Sequence, residues 1–318
     1  MGSVVIAVSN HKGGVGKTTT VLNLGAAFVE KGYRVCVIDA DPQAHATLGL
    51  GLKPESSAGT LCDVMVEKVE SLRSIVVRTR VPNLLLAPSH RGLVACETVL
   101  SGLPHRHQIL DEAIARAGLD VDFYLIDCPP NLGIMNMNAL YAAPHYIMPI
   151  EAKLYGFHGT ASFGEFVQLV RKTHRNPQCL GVLITMFDKR TNLHALYRDN
   201  IHTKFAGLTF KTAIPDNVAV SEAEPRGIPV VLYEPHSAAA MAYREVGEEI
   251  LERLAPEVGP PQHEPPNLDH LESGAIRKAQ EAVRREAECC SQAGDSASTT
   301  PAQEAGEATR QPAEARDE

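Results

Sequence analysis

The stretch Val4-Val5-Ile6-Ala7-Val8-Ser9-Asn10-His11-Lys12-Gly13-Gly14-Val15-Gly16-Lys17-Thr18-Thr19 joins an apolar run, a glycine loop and a helix start. Gly13, Gly14 and Gly16 permit backbone angles that other residues resist, and they let the main chain close on an anion. The N–H groups of the loop and the first helical turn, across Lys12–Thr19 with Val15 and Thr19 included, then point at phosphate. Lys17 brings a positive charge to the outer phosphates, and Thr18 offers a hydroxyl to Mg²⁺. A glycine turn that merely caps a helix is the plainer reading, but a strand followed by G-x-G-K-T-T is too specific for it. Lys12 is the departure. A loop that needs one cation would not place a second lysine beside its first glycine. Lys12 is therefore read as reaching the phosphates of a second subunit, to neutralise charge on the γ-phosphate as an arginine finger does.

Two acid-bearing segments lie downstream. Val35-Cys36-Val37-Ile38-Asp39-Ala40-Asp41-Pro42-Gln43 is an apolar strand ending in two acids. Parallel sheets place ligands at the carboxyl ends of strands, so Asp41 is expected near the phosphates, orienting the attacking water. Asp39 is expected behind it, close to the metal or Thr18. Phe123-Tyr124-Leu125-Ile126-Asp127-Cys128-Pro129-Pro130 repeats the pattern. Asp127 at the end of a buried strand is what a Walker B site needs to hold Mg²⁺ through water.

Across the 318 residues, short continuous apolar runs alternate with helix-length segments. The runs are Val4–Val8, Val35–Ile38, Leu84–Ala87, Phe123–Ile126, Tyr146–Ile150, Leu180–Ile184 and Thr209–Ala213. The helical segments are Lys17–Lys31, Arg106–Ala117, Gly156–Thr173, Ala195–Phe205 and Ala238–Leu254. This pattern predicts an α/β fold with a doubly wound, mainly parallel sheet flanked by helices. The expected domain is residues 1–255. Residues 256–318 open on five prolines (Pro256, Pro260, Pro261, Pro265, Pro266) and continue in Ala, Glu, Ser, Thr and Gln. That acidic tail is expected to be disordered or partly helical, with a polar helix over Leu268–Cys289.

The net charge of −8 is concentrated in this tail. From Pro256 onward thirteen acids face six bases, which leaves the first 255 residues at −1 and permits a local basic face. The seven cysteines show no C-x-x-C or Cys/His metal spacing and are expected to be reduced, mostly buried thiols. Val4–Val8 is strand-length and leads into a loop rather than a signal peptide, and no stretch nears the ~20 apolar residues of a bilayer span. The expectation is a soluble, cytoplasmic protein.

Taken together, Lys12–Thr19, Asp39–Gln43 and Asp127–Pro130 resemble the K-G-G-x-G-K-T-T, D-x-D-P-Q and D-x-P-P motifs of the ParA/MinD group of deviant-Walker P-loop ATPases, most closely its Soj-like ParA branch. Leu183–Thr191, Phe210–Asn217, Ser221–Ala223 and Tyr233–Tyr243 extend the resemblance over roughly residues 1–254. The resemblance implies ATP and Mg²⁺ as cofactors and an ATP-sandwich homodimer in which Lys12 crosses the interface. Lys17, Thr18 and Asp127 would serve phosphate and metal, Asp41 hydrolysis, and Pro215 and Asn217 would lie against adenine. It also implies nonspecific DNA binding on the nucleoid and a ParB-like or other adaptor that stimulates hydrolysis. The cargo would be a chromosome or plasmid origin, or an assembly such as a carboxysome or chemoreceptor cluster. Asp216 and Ala219 stand where the branch carries DNA-binding arginines, and an acid there repels phosphate. Arg190, Arg198, Lys204 and Lys211 are the substitutes for a basic face. Two other readings of the chain make demands it does not meet. A MinD-like membrane-surface regulator needs an apolar-faced C-terminal helix, for which Leu268–Cys289 is too polar. A nitrogenase-reductase-like enzyme needs cluster cysteines, for which Cys96 and Cys128 lack flanking support.

Overall fold

The computed structural model describes residues 2–57, 59–69, 71–153, 159–173 and 175–272. Seven strands form one sheet: β1 Val4–Val8, β2 Val35–Asp39, β3 Val77–Arg78, β4 Leu84–Ala87, β5 Phe123–Asp127, β6 His145–Glu151 and β7 Gln178–Thr185. Their order is β3-β4-β2-β5-β1-β6-β7. The short β3 runs antiparallel to β4, and the other neighbours pair in parallel. Every residue of β1, β2 and β5 is buried, as continuous apolar runs require when helices cover both faces.

The helices are α1 Lys17–Glu30, α2 His45–Gly49, α3 Leu61–Met65, α4 Leu93–Ser101, α5 Ile109–Ala115, α6 Ile134–Ala142, α7 Thr160–Arg171, α8 Asn192–Lys204, α9 Val218–Ala223, α10 Val230–Tyr233 and α11 Ala238–Arg253. The chain steps from β1 outward to β2 and β4. It then returns to β5, between β2 and β1, and steps outward again to β6 and β7. The reversal brings the carboxyl ends of β1, β2 and β5 side by side, which is where such sheets bind ligands. Helix α1 is buried along most of its length. Phe28 on it stacks on Phe123 of β5 at 4.6 Å between ring centres, and Tyr33 meets the same ring edge-on.

Three expectations are corrected. Thr209–Ala213 is not a strand. Thr209 bridges Val182 and Pro215 bridges Phe187, but between them the amides of Lys211 and Thr212 turn to the Glu249 carboxylate, which breaks the ladder. The body does not stop at residue 255. The Tyr33 hydroxyl donates to the Gly259 carbonyl (3.1 Å), His145 lies 2.9 Å from Glu257, and Leu271 is buried, so the described residues after 255 pack on the body. The rest of the expected tail, including most of Leu268–Cys289, lies outside the described residues, as does the start of the helix expected from Gly156. The cysteines are not all separate thiols: Cys62 on α3 and Cys96 on α4 are joined, because these helices pack with the two Cα atoms 6.1 Å apart. Cys36 and Cys128 are buried free thiols, Cys179 is partly buried, and Cys289 and Cys290 lie outside the described residues.

Candidate active site

The glycine loop leaves the end of β1 and enters α1 through Gly14 (φ 71°) and Gly16 (φ 80°), left-handed angles at which a side chain would be strained. Gly16 caps α1 without a side chain, so no residue competes for the first amides of a 14-residue helix. The loop is tied down from the neighbouring strands. Thr185 of β7 donates its hydroxyl to the carbonyl of buried Val15 (3.0 Å). Asn10 donates to the Pro149 carbonyl of β6 (2.6 Å) and accepts from the Lys12 amide (3.1 Å). The Lys17 ammonium donates to the Lys12 carbonyl (3.0 Å). Burial lowers its pKa, while Asp127, Cys128 and Asp41 pull in the opposite direction. A buried cation with one neutral acceptor is prepared for an anion.

Asp39 and Asp127 face each other in register at the ends of β2 and β5, both fully buried. Burial and then the Asp39 charge push Asp127 well above the carboxylate range, and the Thr18 hydrogen bond opposes them. Thr18 donates to Asp127 Oδ2 at 2.7 Å, while Asp127 Oδ1 is buried with no hydrogen-bond partner among the described residues. A carboxylate with an orphaned oxygen beside a hydroxyl suits a hard divalent cation with oxygen ligands, so Thr18 and Asp127 fit Mg²⁺. Asp39 does not fit as a ligand. Its Oδ2 accepts from the Thr47 amide (2.8 Å) and hydroxyl (2.6 Å), and its Oδ1 from the Asp41 amide (3.2 Å). Burial raises Asp39 to about 6 against these bonds. It braces the turn that carries Asp41. Asp41, nearly buried, accepts from the Gln43 amide (2.9 Å) and faces the cavity.

That cavity, about 340 Å³, is floored by Gly13, Gly14, Gly16, Lys17, Thr18 and Thr19, with Asp41 and Gln43 at one side. Pro42 is buried beneath the turn. The rest of the cavity lining is mainly apolar, with Met186, Val220, Ala223, Ile228, Pro229 and Val230 beside Glu224. Pro215 and Asn217 are not in this lining. Asn217 instead caps α9, accepting from the Ala219 amide (2.9 Å), and so orients the helix that supplies Val220 and Ala223. Sequence reading missed this mainly apolar wall, although Gly227-Ile228-Pro229-Val230 after α9 is a breaker followed by apolar residues. It also missed Asn23 on α1, whose carbonyl oxygen accepts from the Val231 amide (3.1 Å) and fastens the wall to the loop's own helix. Lys12 points away from the cavity: its ammonium pairs with Glu151 Oε2 at 2.9 Å.

The four basic residues expected to meet DNA are each engaged locally. Arg190 is clamped by Asp188 through two nitrogens (both 3.0 Å) and lies near Asp216. Arg198 pairs with Asp199 (2.9 Å) and covers the Phe187 ring. Lys204, at the other end of α8, donates to Thr160 (3.1 Å). Lys211 is exposed next to Glu249.

A phosphate-cradling loop opening α1, with acids on the two strands that close over it, places the protein among the P-loop nucleoside-triphosphate-binding proteins. A family described as "AAA domain" matches residues 3–179. The sporulation initiation inhibitor protein Soj of Bacillus subtilis is 37% identical over 248 residues, 77% of this chain and 97% of Soj. The chromosome partitioning protein ParA of Caulobacter vibrioides is 35% identical over 78% of this chain and 94% of that protein. Among solved structures, cobyrinic acid a,c-diamide synthase from Mycobacterium smegmatis with bound ATP analog and magnesium superposes with a TM-score of 0.70. It is 30% identical and covers 80% of this chain and 97% of its own. The chain belongs to the ParA/MinD family of P-loop ATPases. Among the described residues, no helix is long and apolar enough to cross a membrane.

Proposed function

We propose that this protein binds ATP with Mg²⁺, dimerises around two nucleotides, binds DNA without sequence preference as that dimer, and hydrolyses ATP to segregate or position a cargo in the cytoplasm, at the nucleoid. The observation that carries the reading is the pairing of two lysines in one loop: Lys17 is buried in the cavity floor, while Lys12 is held outside it. A cavity served by its own lysine leaves the second free for a neighbour's phosphates. Lys17 and the α1 amides hold the phosphates, and Asp41 orients the attacking water. Asp39 keeps Asp41 in place through its amide. The Met186 and Val220–Val230 wall receives the base. Thr18 and Asp127 would hold Mg²⁺, which neutralises phosphate charge when bound.

ATP favours the dimer and hydrolysis resets it, which is a population shift driven by differential affinity. The relatives' role in chromosome partitioning supports the DNA half of the reading. With Arg190 and Arg198 partly neutralised by their carboxylates, the DNA contact is weak and salt-sensitive. The cargo, and the adaptor that triggers turnover, are of the partition or positioning class. The test is duplex-DNA binding and oligomeric state across salt concentrations, with and without ATP. Wild type is expected to dimerise and bind DNA in low salt with ATP. Lys12→Ala is expected to bind nucleotide but remain monomeric and off DNA. No binding by wild type in low salt with ATP overturns the nucleoid reading.

A further inference from the structure

We propose that Glu151 is a positioning residue that holds Lys12 at the end of β6 until the nucleotide of a second subunit takes the lysine over. The inference rests on the dimer reading above. Glu151 closes β6, its side chain is only 10% exposed, and both its oxygens are engaged. Oε2 accepts from Lys12 and Oε1 from Lys153. Burial pushes its pKa up, but the hydrogen bonds from Lys153 and Lys12 outweigh burial and hold it below the ordinary range. Glu151 is therefore a charged acceptor at neutral pH.

The backbone makes this placement definite. Asn10 bonds both the Lys12 amide and the Pro149 carbonyl, two residues before Glu151, so loop and strand end are stapled together. The Lys12 carbonyl turns inward to the Lys17 ammonium, while its own side chain turns outward to Glu151. The loop thus assigns its two cations to opposite sides. A lysine meant for another subunit must stay off its own phosphates, and pairing with a nearly buried carboxylate does that. Departure of Lys12 leaves Glu151 paired with Lys153, so no buried charge is stranded and the exchange avoids the large cost of an unpaired ion. Carboxylate and incoming phosphate compete for one ammonium, and dimer formation is opposed by whatever the resting pair is worth.

The test compares full-length wild type, Glu151→Gln, Glu151→Asp and Lys12→Ala. ATPγS-dependent dimerisation is read by sedimentation, and trace acetylation of the nucleotide-free protein is read lysine by lysine. Glu151→Gln is expected to dimerise at about tenfold lower protein concentration, as loss of one part-buried ion pair implies. Its Lys12 is expected to label several-fold faster, with no change at Lys31, whose partner is Glu248. A structural defect alone would not single out Lys12. Glu151→Asp keeps the charge and should stay near wild type. If it dimerises as readily as Glu151→Gln, packing rather than charge holds Lys12 and the proposal falls. A Glu151→Gln midpoint equal to or above that of wild type also overturns it. A wild type that binds ATPγS yet stays monomeric sinks the dimer reading itself. A wild type that dimerises beside an unshifted Glu151→Gln sinks only the role of Glu151.

Discussion

The carboxyl ends of β1, β2 and β5 and the outer segment from Asp188 into α8 both carry charged residues, but they hold them in opposite ways. At the strand ends the charges are buried and far apart in sequence: Lys17 in the loop, Asp39 and Asp127 in register on neighbouring strands, Thr18 reaching across to Asp127. In the outer segment the charges are exposed and satisfied by near neighbours in sequence, Arg190 by Asp188 and Arg198 by Asp199. A buried charge without a full complement of partners is costly unless a ligand completes it. An exposed arginine clamped by the carboxylate beside it costs nothing and offers less to a ligand. The first region is built for a nucleotide, and the second has little of its positive charge left to give.

The sharpest way to break that comparison is Lys17→Ala. Turnover is expected to fall about a thousandfold, roughly 4 kcal/mol of barrier, with no loss of thermal stability, because burial of this ammonium already disfavours its charge. Retained turnover would erase the distinction.

Next comes pH. Burial holds Asp39 up at about 6 in the folded protein, above its unfolded value. The folded state therefore holds more protons between about pH 4 and pH 6. Its contribution to stability is fully present below that window and is lost progressively as pH rises through it to about 6. Urea unfolding of nucleotide-free protein at pH 5 and pH 8 reads it, since the gap between wild type and Asp39→Asn must change with pH.

A smaller loss, about 2 kcal/mol, is expected for Thr47→Val, which leaves Asp39 and the Ser89 amide without the hydroxyl they share. Denaturant titration at pH 8 measures it, and a neutral result would mean water fills the gap.

Away from the strand ends the effects shrink. Arg190→Ala with Arg198→Ala is expected to weaken DNA binding by less than about twofold in low salt, given how little exposed ion pairs leave available. Ala219→Arg is expected to steepen the log–log salt dependence by about one unit, the signature of one added phosphate contact. A large effect from the first pair, or none from the second, would invert the comparison.

Much of the strand-end region was legible because it is written in residues that dictate backbone. Glycines at positive φ, a continuous apolar run before them and acids closing two other runs specify loop, strand and helix start with little help from elsewhere. The apolar wall was not legible in the same way. Val220, Ala223 and Val230 become a pocket lining only when Asn217 caps α9 and Asn23 fixes α10 to α1 across more than two hundred positions. The strand expected at Thr209–Ala213 failed for a similar reason: Glu249 of α11, far along the chain, takes the amides the ladder needed. Composition marked residues 256–318 as tail, yet Gly259 and Leu271 lie on the body.

By itself the sequence determined the doubly wound sheet, the phosphate loop and the acids at its mouth, because periodicity and glycine placement act locally. Only the tertiary structure decided which acid is available and where the second lysine rests. Asp39 and Asp127 end equivalent strands and look alike in sequence, but Thr47 and the Asp41 amide occupy both oxygens of the one, while Oδ1 of the other has no hydrogen-bond partner among the described residues. Lys12 is one residue of a loop motif until β6 brings Glu151, 139 residues away, to within 2.9 Å of it. Hydrogen-bond satisfaction and burial belong to the packed chain, so they could not be read before the strands were set side by side.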